Sequence, residues 1–175
     1  LAVIAAIDAV ADGGAEFLGD GAGVVYRWIG GTAPFGEPQI FATPVAADAA
    51  ADPLAFTSGG AIDLDNDTYP DLVVGSWKHP ARIYRNDHGT LVDTGWRKES
   101  ADWTSVVPCD VGASAAPELL VTGEESSVYQ VQGGTLGAAS ALPAGLSNEV
   151  ACGDFDGDGT NDVVIAGWAG PTRIM

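Results

Sequence analysis

The chain has 175 residues, 46% of them hydrophobic, enough for one domain or a short repeat array with a buried core. Lys plus Arg number 7 against 24 Asp plus Glu, and the resulting formal charge of −17 repels phosphate backbones and anionic bilayers, which argues against nucleic-acid and membrane-surface partners. The longest uncharged stretch, Ser126 to Asn148, is broken by Gly, Gln, Ser and Pro, so no membrane insertion is expected.

The opening LAVIAAID has no basic n-region and meets Asp8 too early for a signal peptide. The chain starts without Met and stops at Thr172-Arg173-Ile174-Met175 inside a strand-like run, so the expectation is a processed chain or part of a longer one.

Four segments then align along the chain: AAIDAVADGGAEFLGDG from Ala5, GAIDLDNDTYPDLVVGS from Gly60, VPCDVGASAAPELLVTG from Val107 and ACGDFDGDGTNDVVIAG from Ala151. Each opens with an acid and carries a second acid eight residues on: Asp8/Glu16, Asp63/Asp71, Asp110/Glu118 and Asp154/Asp162. First acids are separated by 55, 47 and 44 residues. Behind each acid pair comes an apolar run (Phe17-Leu18, Leu72-Val74, Leu119-Val121, Val163-Ile165), and a further strand-like run follows at Val24, Arg82 and Ser127. GSWKHPARIY from Gly75 matches AGWAGPTRIM from Ala166, with Trp, Pro, Arg and Ile each offset by 91 residues.

The runs are short, β-branched and aromatic, and are bounded by Gly, Pro, Asn and Asp, which predicts strands. No segment has a sustained helical period with caps, so no helix is predicted. The second unit has room for strands at Phe56–Asp63, Asp71–Ser76, Ala81–Asn86 and Leu91–Trp96. Four antiparallel strands per unit of this length predict an all-β fold, a β-propeller of about three and a half blades, with a β-sandwich as the alternative. The units run 1–55, 56–103, 104–147 and 148–175, the last truncated.

The acid is concentrated where chemistry is expected. Asp supplies 17 of the 24 carboxylates, and eight of these fall in Asp63–Asp71 and Asp154–Asp162, both of the form D-x-D-x-D-x-x-x-D. Acid packed this closely repels itself unless a cation sits within it. Carboxylates at positions 1, 3, 5 and 9 with a carbonyl at position 7 suit Ca²⁺, which takes six to eight oxygens in flexible geometry. Mg²⁺ demands a stricter octahedron, and Zn²⁺ lacks its usual cluster in a chain with two Cys and two His. An EF-hand needs Glu at position 12, where Val74 and Ile165 stand.

D-x-D-G-D-G-x-x-D followed by an apolar strand and Gly resembles the FG-GAP/VCBS repeat, the calcium-loop blade of integrin α-subunit heads and of many microbial surface proteins. ARIYRNDHGTL is similar to the RLYRNDGG-type strand of the microbial VCBS branch. The resemblance implies two Ca²⁺ sites, held by Asp154, Asp156, Asp158, Thr160 (carbonyl) and Asp162, and by Asp63, Asp65, Asp67, Tyr69 (carbonyl) and Asp71. The site at Asp154 is expected to be the tighter, because Thr68 stands where the fourth unit has Gly159, and a positive φ there strains a β-branched residue. Asp110, Gly112, Ser114 and Glu118 in the third unit, and Asp8, Val10, Asp12 and Glu16 in the first, are read as metal-free turns.

Trp77 and Trp168 follow the second strand at equivalent places. On the face opposite the acid loops they either form a ligand face that stacks on glycan or docks a surface protein, or they pack between blades. Cys109 and Cys152 fall in innermost strands of neighbouring blades, one and two places before their acids. That offset lets them either form a disulfide or point apart as buried thiols.

Catalysis finds no support. His79 and His88 lack a nucleophile motif, G-x-S-x-G is absent, and carboxylates held as metal ligands are unavailable for proton transfer. The sequon Asn66-Asp67-Thr68 lies inside an acid loop and is read as unmodified. Three functions follow: a non-catalytic extracellular or cell-surface module for recognition or adhesion; a structural subunit polymerising into a fibre or layer; and a propeller scaffold attached to a carbohydrate-active enzyme. A seven-bladed ring needs roughly 340 residues at this period, so the chain is expected to associate with other copies of itself or with the rest of a longer chain.

Overall fold

Alternating β-branched residues punctuated by Gly, Pro and Asp give strands throughout the computed structural model, which describes residues 2–7, 22–27, 39–42, 55–77, 79–99, 104–111, 117–132, 134–142, 147–167 and 172–174. Two units, Leu1–Phe56 and Thr57–Met175, divide the chain. In the first, β1 (Ala2–Ile7), β2 (Ala22–Arg27) and β3 (Gln39–Ala42) form an antiparallel sheet in chain order. The run at Val24 thus pairs directly with β1, Val24 opposite Ala5. The acids Asp8, Asp12 and Glu16 and the run Phe17-Leu18 lie outside the described residues.

The second unit holds three meanders. The first is β4 (Ala55–Ile62), β5 (Asp71–Trp77), β6 (Ala81–Asp87) and β7 (Thr90–Lys98), all bounded within two residues of the expected positions. The next is β8 (Ser105–Cys109), β9 (Glu118–Thr122), β10 (Ser127–Gln132) and β11 (Thr135–Ala141). The last is β12 (Ser147–Gly153), β13 (Asp162–Gly167) and β14 (Arg173–Ile174). The fold is all-β and antiparallel, with no helix among the described residues. Pro108 sits in β8, an edge strand, where its missing N–H removes no ladder bond on the open side.

Successive sheets pack face to face. Ile62, Leu64, Val73, Ala81 and Ile83 of the first meander bury against Val106, Leu119 and Val121 of the second. The opposite face of that second sheet, with Cys109 and Leu120, buries against Val150, Val163 and Ile165 of the third. Side chains alternate across a strand, so Leu119 and Val121 serve one interface and Leu120 the other. Gly75 is required where β8 begins: a Cβ there would collide with the Thr104 carbonyl and the Ser58 hydroxyl. Ser76 N–H donates to Thr104 Oγ1 at 2.7 Å, and Thr104 N–H donates to Ser76 O at 2.9 Å, so the approach is fixed by hydrogen bonds on both sides.

Cys109 and Cys152 form a disulfide with Cα atoms 5.9 Å apart. The one-residue offset between them is what places them together. Cys109 pairs with Glu118 and Cys152 with Val163, so they lie on opposite faces of their own sheets and meet where those sheets face each other.

Candidate metal centre

Each acid loop joins the first and second strands of its sheet: 63–70 between β4 and β5, 110–117 between β8 and β9, and 154–161 between β12 and β13. Short acidic side chains favour such loops because they accept hydrogen bonds from backbone N–H groups two or more residues on, in place of a strand ladder.

The two complete loops share one ladder. The first acid accepts from the sixth residue: Thr68 N–H to Asp63 Oδ2, and Gly159 N–H to Asp154 Oδ2, both 3.0 Å. The third accepts from the fifth: Asp67 N–H to Asp65 at 3.3 Å, and Asp158 N–H to Asp156 at 3.1 Å. The fifth accepts from the seventh: Tyr69 N–H to Asp67 at 2.7 Å, and Thr160 N–H to Asp158 at 2.8 Å. Positive φ recurs at the fourth and sixth places, at Asn66 (60°), Thr68 (74°), Gly157 (82°) and Gly159 (91°). Thr68 therefore adopts the left-handed conformation that the comparison of loops anticipated.

The ninth acid closes the loop onto the second residue. Asp71 accepts from Leu64 N–H at 2.9 Å, Asp162 from Phe155 N–H at 2.9 Å, and Glu118 from Val111 N–H at 3.1 Å. This bond also forms in the third loop, so the ninth acid has a folding role separate from any cation. Gly112 and Ser114 of that loop lie outside the described residues, while Asp110 is exposed and Glu118 buried.

The ladder turns carboxylates toward each other. Asp63, Asp65 and Asp71 each place an oxygen within 4.8 Å of the others, and so do Asp154, Asp156 and Asp158. Asp67 and Asp162 stand outside these groups of three. In the first loop Asp63 Oδ1 is buried without a hydrogen-bond partner among the described residues. A buried carboxylate oxygen left unpaired is costly, and an oxygen-binding cation removes that cost. Burial pushes the Asp71 carboxyl above the usual carboxylate range, opposed by N–H bonds from Asn86 and Leu64 and reinforced by the charges of Asp65 and Asp67. Asp158 is held below that range by the Thr160 hydroxyl and N–H. An all-oxygen donor set of like charges fits a hard divalent cation, Ca²⁺ before Mg²⁺.

One contributor carried no assigned role in the sequence. Asn86 N–H donates to Asp71 Oδ1 at 2.8 Å, and its side-chain amide donates to Pro70 O at 3.0 Å and accepts from Gly89 N–H at 2.7 Å. It thereby latches the β6–β7 hairpin to the exit of the loop; the YRND run that contains it was the available signal. Beside it, the His88 ring lies 4.7 Å from that of Tyr69 and bonds Asp87, an exposed turn histidine. Trp77 ends β5, at the far end of the strand from the acid loop, and Trp168 lies outside the described residues. Loop 154–161 is tied to the preceding sheet by Asn161 Nδ2, which donates to Asp110 O at 2.9 Å, and at its base by the Cys109–Cys152 bridge. Comparison of the sequence with protein-family models and with curated proteins finds no match to either.

Proposed function

We propose that this chain is a non-catalytic, calcium-stabilised β-propeller module of the FG-GAP/VCBS type, working outside the cell or at its surface in recognition, adhesion or assembly. The observation that carries this reading is the pair of loops with one shared hydrogen-bond ladder, each gathering three carboxylates, with a buried and unpaired oxygen at Asp63. Asp63, Asp65, Asp67, Asp71 and the Tyr69 carbonyl would hold one ion, and Asp154, Asp156, Asp158, Asp162 and the Thr160 carbonyl the other. The ions neutralise acid that otherwise repels itself, and so stiffen the turn between the first two strands of a blade. Face-to-face packing of successive meanders supports the propeller, and the Cys109–Cys152 bridge supports an oxidising compartment. Trp77 and Trp168 are the proposed ligand-facing residues, for a glycan or a surface protein.

Thermal unfolding with calcium and with chelator tests the reading. Calcium at about a hundred times its Kd adds about 2.7 kcal/mol by mass action. A melting temperature identical in calcium and chelator refutes it.

A further inference from the structure

Strand β5 pairs with β6 through Val74 opposite Arg82, Val73 opposite Ile83 and Leu72 opposite Tyr84. Two residues further on, the same register sets Pro70 against Asn86. Proline has no N–H to donate, so a backbone rung cannot form there in both directions. Side chains build it instead. Asn86 N–H donates to Asp71 Oδ1 at 2.8 Å, and Asn86 Nδ2 donates to Pro70 O at 3.0 Å. The two acceptors of Asn86 are taken by the turn that follows: His88 N–H donates to Asn86 O at 3.0 Å and Gly89 N–H to Asn86 Oδ1 at 2.7 Å. That turn joins Asp87 to Thr90 across two residues of positive φ, His88 at 52° and Gly89 at 102°, the geometry of a tight hairpin.

Asp71 is held from two sides as a result. It is buried, with Oδ2 on Leu64 N–H inside the acid loop and Oδ1 on Asn86 N–H outside it. Each carboxylate oxygen retains a lone pair, and Asp71 still places an oxygen within 4.8 Å of oxygens of Asp63 and Asp65. The β6–β7 turn touches the loop again through the His88 ring, 4.7 Å from that of Tyr69. In the second meander Leu119 pairs with Tyr129, a register that sets Pro117 against Val131. The proline recurs there but the amide does not: Val131 has no side-chain donor and packs against the apolar core. Of these two loops, the one with the amide is the one with the full carboxylate set.

We infer that Asn86 is a positioning residue for the acid loop 63–71: it clamps the β6–β7 turn to Pro70, and so fixes the Asp71 carboxylate beside Asp63 and Asp65 in the orientation that sets cation affinity. The effect on affinity rests on the calcium reading above; the placement of Asp71 does not. Asn86 itself holds no cation. Its role is that of the hydrogen-bonded partners that orient ligating carboxylates, whose loss weakens metal binding about 10- to 100-fold.

The full chain with Asn86→Ala tests this. Both side-chain bonds of Asn86 lie at the surface, where water replaces them, so the fold should persist. In chelator, amide exchange at Leu64 should quicken as Asp71 loosens, while exchange at Phe155, which Asp162 holds in the same way at 2.9 Å, should not change. With Asp156→Asn silencing the other loop, Ca²⁺ affinity should fall about 10- to 100-fold. Adding Asn86→Ala to Asp71→Asn should weaken binding no further, because Asn86 acts through that carboxylate; independent structural damage would add to the first loss. Unchanged exchange at Leu64 overturns the inference, and so does a parental Ca²⁺ affinity in Asn86→Ala. A parent chain that binds no Ca²⁺, while Asn86→Ala still quickens exchange at Leu64, refutes the calcium reading and upholds the placement of Asp71 by Asn86.

Discussion

Replacing Thr68 by Gly should stabilise the protein. Thr68 holds φ at 74°, in the left-handed region, where the fourth loop has Gly159 at 91°. That conformation costs a residue with a Cβ about 1–2 kcal/mol, and the branch of threonine adds crowding. Glycine gives back about 0.4–1 kcal/mol through the freer unfolded chain, which leaves a net gain of about 0.5–1 kcal/mol. The bond from residue 68 N–H to Asp63 Oδ2 is backbone and survives the change. At about 2–4 °C per kcal/mol for a chain of this size, the melting temperature should rise by about 1–4 °C, in chelator as well as in calcium. The reciprocal Gly159→Thr should lower stability by a similar amount. Scanning calorimetry on the two variants decides: Thr68→Gly that melts lower than the parent, beside a tolerated Gly159→Thr, would mean that the backbone at Thr68 is unstrained.

Reducing the Cys109–Cys152 bridge, which spans 43 residues, should cost about 4 kcal/mol by loop entropy, read as a fall in the denaturant midpoint. Gly75→Ala forces a methyl against the Thr104 carbonyl and should cost about 1–3 kcal/mol in the same assay. Stability in chelator should fall as pH rises from about 4, the ordinary carboxylate value, through the raised value of Asp71, because the folded chain keeps a proton there that the unfolded chain has lost. Calcium favours the ionised carboxylate and should reverse that slope; Asp71→Asn should flatten it.

The sequence made the strands β4–β7 legible because each is set off by Gly, Pro or Asp, and their ends fell within two residues. The acid loops were legible for a similar local reason: alternate carboxylates across a turn have few uses. Even the strain at Thr68 could be read by laying one loop over the other. What was not legible depends on neighbours distant in sequence. The YRND run marks Asn86 as part of a motif but does not show that it reaches Pro70 and Asp71, and nothing local separates Leu64 from Phe155, one core and one exposed. The cysteines sat between these cases. Their offset was visible, but whether it brought them together depended on which faces of β8 and β12 met.

Isothermal titration of the chelator-treated chain with Ca²⁺ shows whether both complete loops bind the ion. Two sites per chain are expected, with Asp156→Asn abolishing the tighter and Asp65→Asn the weaker. A titration with no heat of binding, on protein whose melting curve calcium does not move, contradicts that expectation.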